Sequence, residues 1–281
     1  MSICGCTEAA KCICIETVEY YLSLIENNDD CAMNDLGSYY EEILNILHHK
    51  SKFMPIGTKK IERTMHDINI NIICTQMKKY YMMSIVNGNN DAMYNLGDYY
   101  EKIKNYEKMK KYYTMSAKNG NNYAMYNLGH YYEQMKNNSR TKKESCQAEI
   151  LMIKYYLMGA KNGNSNSMNG LGNYYEEKLN YIKMIKYYSM SAEKGNDISM
   201  YNLGNHYEKI KQYPEMIKYC SMSAKNGNIN AMHCLEQYYG VIIKDYDKME
   251  KYCLMQKTNI KMSFNHDISR TRSKSDHYLY A

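Results

Sequence analysis

The chain has 281 residues, a net charge of +6 and 33 Tyr against 2 Phe and no Trp. A charge this small, with Lys interleaved among Glu, does not make the basic face that nucleic-acid binding requires. No apolar run reaches the roughly 18 residues needed to cross a bilayer. The expectation is a soluble, intracellular, cytoplasmic protein without a membrane segment, and only two prolines interrupt its helices.

The first segment, residues 1–15, holds Cys4, Cys6, Cys12 and Cys14, the densest group among the ten cysteines. Structural zinc sites space paired cysteines by about two to four residues, and a single intervening residue leaves little chain to wrap an ion. Glu8, Lys11 and Glu16 break any continuous apolar stretch, so no export signal is read here. Thiols that pack as small hydrophobes, unbridged, are expected throughout.

From residue 16 to 256 the chain repeats. Leu-Gly recurs at Leu36-Gly37, Leu96-Gly97, Leu128-Gly129, Leu171-Gly172 and Leu203-Gly204, with Leu235-Glu236 as a degenerate sixth, and the uninterrupted period is 32 residues. In the first half of a unit Ala92, Leu96 and Tyr100, flanked by Met93, Gly97 and Ile103, make one apolar helical stripe, which predicts a helix A. In the second half Met109, Tyr113 and Ala117 predict a helix B that ends at Asn119-Gly120. Gly88, Gly120, Gly163, Gly195 and Gly227 are placed to close helix B in the left-handed conformation, and Asn89, Asn121, Asn164, Asn196 and Asn228 to cap the next helix A. A glycine inside helix A costs about 1 kcal/mol relative to alanine, so close approach of helix B is expected to offset it. Helices this short need stacked neighbours. The fold class is therefore all-α, an α-solenoid of about six helix pairs.

The Ala-x-x-x-Leu-Gly-x-x-Tyr core of helix A and the Lys-Tyr-Tyr-x-Met-Ser-Ala-x-x-Gly-Asn end of helix B resemble Sel1-like repeats, relatives of tetratricopeptide repeats. The Tyr-, Asn- and Met-rich composition resembles Sel1-like proteins of giant DNA viruses, for which the host cytoplasm would be the location. The resemblance implies an interaction scaffold or adaptor whose partners are proteins. It departs from the family in a shortened turn between the helices, where the family carries a glycine-containing loop.

Two insertions break the period, near 45–72 and 137–147, both between helix A and helix B. The first is expected to add a helical turn and the second to extend helix B backwards. Residues 257–281 form a basic tail with Arg270, Arg272 and Lys274 among serines. Methionines recur at Met33, Met93, Met125, Met168, Met200 and Met232 and at Met83, Met115, Met158, Met190, Met222 and Met255, a spacing that predicts core. Paired tyrosines are expected to put one ring in the core and one near the surface. Glu41, Glu101, Glu133, Glu176 and Glu208, with Lys79, Lys111, Lys154, Lys186, Lys218 and Lys251, read as surface ion-pair ladders.

The sequence shows no phosphate-cradling loop, nucleophile elbow or H-E-x-x-H, and His48, His49 and His66 beside Cys74 lack a recurring carboxylate. No enzymatic activity, cofactor or metal is expected. Core positions barely change between repeats, whereas a polar stripe on helix A does. It comprises Asn95, Asp98 and Lys102; Asn127, His130 and Gln134; Asn173 and Glu177; and Asn202, Asn205 and Lys209. These are the candidate partner-binding groove. Two alternatives stand beside it: nucleic-acid binding through the basic tail and exposed tyrosines, and a zinc-dependent N-terminal module.

Overall fold

The computed structural model of the chain describes residues 8–27, 29–52 and 60–258, and the regular elements among them are all helical. They fall into two compact units. The first, up to Ala124, contains α1 (Glu8–Ile25), α2 (Asp30–Lys52), α3 (Lys60–Val86), α4 (Asn90–Lys102) and α5 (Tyr106–Lys118). The second, from Met125, contains most of α6 (Asn122–Asn138), then α7 (Lys142–Lys161), α8 (Ser165–Glu177), α9 (Tyr181–Glu193), α10 (Asp197–Lys209), α11 (Tyr213–Lys225) and α12 (Ile229–Gln237). A π-helical turn, Tyr238–Ile243, and a helix over 246–258, α13, complete it. Even-numbered helices from α2 to α12 are the A helices, and each is followed by its B helix.

Cap chemistry sets the repeat boundaries. Gly88, Gly120, Gly163, Gly195 and Gly227 all adopt positive φ, between 83° and 94°. At Gly120 the N–H donates to Ala117 O and the next N–H, of Asn121, to Ser116 O, which satisfies carbonyls that the helix end leaves open. The following asparagine then accepts from the next helix: Asn89 from the Ala92 N–H at 3.0 Å, Asn164 from Ser167 at 2.8 Å, Asn228 from Ala231 at 3.1 Å. In α4/α5, α8/α9 and α10/α11 the turn from A to B is only three residues, as in Ile103-Lys104-Asn105, and its middle residue is left-handed without being glycine. Lys104, Leu179, Lys211 and Lys244 have φ of 56–60°, a conformation that costs a side chain about 1–2 kcal/mol.

The glycine of helix A is where helix B comes close. A Cβ at Gly172 would lie 2.3 Å from Tyr188 Cδ1, and one at Gly97 2.5 Å from Tyr113 Cδ1. The rings Tyr81, Tyr113, Tyr156 and Tyr188 are 0–1% exposed, so each glycine exchanges its helix cost for a buried aromatic ring. Serines of the B helices tie the other end of the pairs α2/α3, α8/α9 and α10/α11: Ser84 Oγ donates to Asp30 O, Ser191 to Ser165 O and Ser223 to Asp197 O, at 2.7–2.8 Å.

The first methionine register is core, at 1–5% exposure. The second differs from expectation: Met83, Met115, Met158, Met190 and Met255 are half-buried and Met222 is exposed, while Met77, Met109, Met152, Met184 and Met216 fill the core from helix B. Ile103 also leaves the expected stripe and stands 48% exposed at the turn. The insertions lengthen helices: α2 and α3 have 23 and 27 residues, α6 and α7 have 17 and 20, against 13 in α4 and in α5. The second insertion thus extends both helices of its pair, and residues 53–59 of the first lie outside the described residues.

Candidate partner-binding surface

Two tyrosine positions recur in every pair, and a third, on the helix A glycine, in the pairs up to α8/α9. The second tyrosine of helix A stacks face to face on the first of helix B: Tyr40 on Tyr80, Tyr100 on Tyr112, Tyr132 on Tyr155, Tyr175 on Tyr187, Tyr207 on Tyr219 and Tyr239 on Tyr252, with ring planes within 7°. Lysines cover the outer faces: Lys111 Nζ lies 5.3 Å from the Tyr112 centroid and Lys108 Nζ 5.2 Å from that of Tyr100. In α4 and α5 both members of each tyrosine pair are buried, at 6% for Tyr99 and Tyr100, 8% for Tyr112 and 0% for Tyr113, so the expected division into one core and one surface ring does not hold there. These stacked faces are already occupied by protein.

The expected ion-pair ladders are also rearranged. Four of the five glutamates accept the hydroxyl of the tyrosine that lies on the glycine: Glu41 from Tyr81 at 2.9 Å, Glu101 from Tyr113 at 2.7 Å, Glu133 from Tyr156 at 2.7 Å and Glu176 from Tyr188 at 2.9 Å. Lys79, Lys111, Lys154, Lys186, Lys218 and Lys251 lie over the ring of the next tyrosine instead. The physical reason is the glycine: it lets the ring run past helix A and deliver its hydroxyl one turn further on. Burial, then the glutamate charge, pushes the Tyr156 and Tyr188 phenols far above their ordinary range. Hydrogen bonding from His130 holds the Glu133 carboxyl low, helped by the Tyr156 hydroxyl against the effect of burial.

The polar stripe lies along the A helices, and much of it is bonded from one A helix to another of the same unit. In the first unit the half-buried Asn95 Nδ2 donates to Asn34 Oδ1 at 3.1 Å, and Lys102 pairs with Asp98 at 2.7 Å and Glu41 at 2.8 Å. Burial acts against the Lys102 ammonium, but Asp98 and Glu41 outweigh it and raise its pKa. In the second unit Asn173 Oδ1 accepts from the Tyr188 hydroxyl at 2.7 Å and from Asn202 Nδ2 at 3.4 Å. Lys136 pairs with Glu177, and Lys209 Nζ lies 3.7 Å from Glu176. His130, Gln134, Asn173, Glu177 and Lys209 are exposed, while Asn127, Asn202 and Asn205 are half-buried. His130 Nε2 and Gln134 Nε2 are 2.9 Å apart, which requires the neutral ring nitrogen to accept.

Sequence reading missed a surface pocket of about 490 Å³ lined by Glu176, Leu179, Tyr181, His206, Lys209 and Ile210. Its apolar members are exposed at the A-to-B turns, Leu179 at 69% and Tyr181 and Ile210 at 48% each. Aliphatic residues recurring beside the left-handed turn residue, as at Ile103, Ile210 and Ile243, were the available signal.

Of the cysteines, Cys4 and Cys6 lie outside the described residues, as do the side chains of Cys12, Cys14 and His66 and the tail beyond 258. Cys31, Cys74, Cys146, Cys220, Cys234 and Cys253 are free thiols. Among the described residues no helix is long and apolar enough to cross a membrane.

In structure the chain is similar to a Sel1 repeat protein from Oxalobacter formigenes, with a TM-score of 0.57 and 19% identity over 82% of this chain and 88% of that one. Weaker similarities are to the immunity protein Pa5087 from Pseudomonas aeruginosa, at TM-score 0.44 and 18% identity over 66% of this chain and 74% of that one. Another is to c5321, a protective antigen present in uropathogenic Escherichia coli strains displaying an SLR fold, at 0.39 and 17% over 86% and 64%. No family model matches the sequence, and no curated protein matches it. The fold is the all-α solenoid of Sel1-like helix-pair repeats.

Proposed function

We propose that the chain holds partner proteins in the cytoplasm, with the polar face of its A helices as the contact surface. One observation carries this reading: the scaffold repeats while the surface does not. Ala or Ser, then Met and Leu, return at the core positions of the A helices, with Gly in all but α12, yet the position after the glycine is Asp98, His130, Asn173 and Asn205 in successive repeats. All four side chains are exposed or half-buried. A varied surface on a uniform frame suits selection of a particular partner. The bonds that link Asn95 to Asn34 and Asn202 to Asn173 hold those amides in place, so less conformational freedom is lost on binding. The pocket beside His206 offers a partner side chain a recess with both apolar and charged walls. A scaffold of this kind needs no catalytic group.

The test begins with partners recovered by affinity purification from the native cell. Changing His130, Gln134 and Lys209 together to Ala removes exposed polar contacts without touching the core, and should weaken binding about tenfold or more while leaving thermal stability nearly unchanged. Unaltered affinity in this variant, together with lost binding on changing Ile182, 86% exposed in the first turn of α9, to Asp, would move the contact surface away from the A helices.

A further inference from the structure

In four repeats a tyrosine lies on the helix A glycine and gives its hydroxyl to a glutamate of that helix. In the pair α10 and α11 the pattern changes at two positions together. Cys220 stands in place of the tyrosine, and in α12 Cys234 stands where Asn95, Asn127 and Asn202 stand in earlier A helices. The Cys220 Sγ occupies the close approach, 2.3 Å from where a Gly204 Cβ would be. Cys234 Sγ fills the space that the ring leaves, 3.5 Å from Cys220 Sγ, 3.8 Å from Met216 Sδ and 3.6 Å from Glu208 Oε2. Cys234 thus takes over the glutamate contact that the tyrosine hydroxyl makes elsewhere. Met216 and Cys220 are fully buried, and Cys234 is half-buried, so the cluster is reached from the Cys234 side.

We propose that Cys220, Cys234 and Met216 form a binding site for a soft, thiophilic cation, with Cu(I) as the fitting ion. Two thiolates and a thioether are the ligands that select Cu(I) over harder ions. With metal–sulfur bonds of about 2.3 Å a trigonal ion holds its sulfurs about 4 Å apart, so the two separations seen here need to open by only a few tenths of an ångström. On binding, two S–H protons leave to solvent as two metal–thiolate bonds form, the thioether adds a lone pair, and nothing is oxidised or reduced.

The experiment titrates the reduced full-length chain anaerobically with Cu(I) supplied as its bicinchoninate complex, counting the equivalents withdrawn. Cys234→Asn is the decisive variant, because asparagine is what this repeat position carries elsewhere and the fold accepts it. The wild type should withdraw one equivalent that Cys234→Asn and Cys220→Ala do not, and Met216→Leu should keep it with roughly tenfold weaker affinity. Cu(I) should raise the Tm of the wild type and not of Cys234→Asn. A Cys234→Asn chain that keeps the equivalent overturns the proposal. So does its loss when Cys4, Cys6, Cys12 and Cys14 are changed together to Ser.

Discussion

The pairs α8/α9 and α10/α11 share one frame and fill it differently. In α8/α9 the Tyr188 ring lies on Gly172 and its hydroxyl reaches Glu176 and Asn173, so the pair closes its own interior. In α10/α11 the short Cys220 side chain lies on Gly204, and contact with Glu208 is supplied from α12 by Cys234. A repeat can therefore complete its core internally or depend on the next helix. The second arrangement ties the stability of α10/α11 to α12.

The largest effect should come from crowding the glycine. Gly172→Val drives a branched side chain against a ring that two hydrogen bonds hold in place, and should cost about 3 kcal/mol or more, a fall of several degrees in Tm. Gly204→Val meets a single sulfur atom before it meets the Cys220 backbone nitrogen at 3.3 Å, so its loss should be smaller by about 1 kcal/mol or more. Equal losses in thermal melts would show that the helix backbones, and not the ring, set the close approach.

Exchange of the fillers sharpens the comparison. Cys220→Tyr alone pushes a ring into the space of Cys234 and should destabilise by about 1–3 kcal/mol. Adding Cys234→Asn rebuilds the combination of Tyr188 and Asn202, and the double variant should recover most of that loss, a coupling read from a double-mutant cycle. Additive losses would mean that the two positions do not share one space.

What could be read in advance follows from what is local. The Gly-Asn boundary between repeats, as at Gly120-Asn121, was legible because positive φ and N-capping are properties of adjacent residues. The close approach at Gly97 was legible from its cost within a helix. The partner of Glu101 was not, because Tyr113 comes from the other helix of the pair and only the crossing geometry shows where its hydroxyl ends. The same holds for Met109, whose burial depends on how α5 is rotated against α4. Of the candidate surface, periodicity placed Asn95 and Asn202 on the polar side of helix A. It could not show that each amide bonds to another A helix, since period gives a face and says nothing of its neighbour.

Removing the hydroxyl alone separates ring from hydrogen bond. Tyr188→Phe keeps the packing on Gly172 and leaves Glu176 and Asn173 each without one bond, at a cost of about 1–2 kcal/mol by urea or thermal denaturation. The turns that close the two pairs should respond alike in the opposite direction. Leu179→Gly and Lys211→Gly relieve a left-handed side chain and should raise stability by up to about 1 kcal/mol, since the strain removed exceeds the entropy that glycine adds to the unfolded chain.

The smallest effect distinguishes the pairs by pH. His206 in α10 stands where Tyr174 stands in α8, it is 7% exposed, and burial lowers its pKa from the ordinary 6.5. The Glu176 charge opposes that shift and the Lys209 charge adds to it, while the rings of Tyr181 and Tyr207 pack against the imidazole. A lowered histidine pKa means that the unfolded chain takes up its proton first as pH falls. The stability tied to a neutral His206 is complete above the unfolded value and declines as pH drops from there toward the folded one. His206→Tyr, which copies α8, should remove the part of the pH dependence that sets in as pH falls through the ordinary histidine value of 6.5 and leave the part due to carboxylates such as Glu133, which is lost at lower pH. Melting curves of both proteins across this range decide it: parallel declines would show that His206 is solvated well enough to titrate as it does in the unfolded chain.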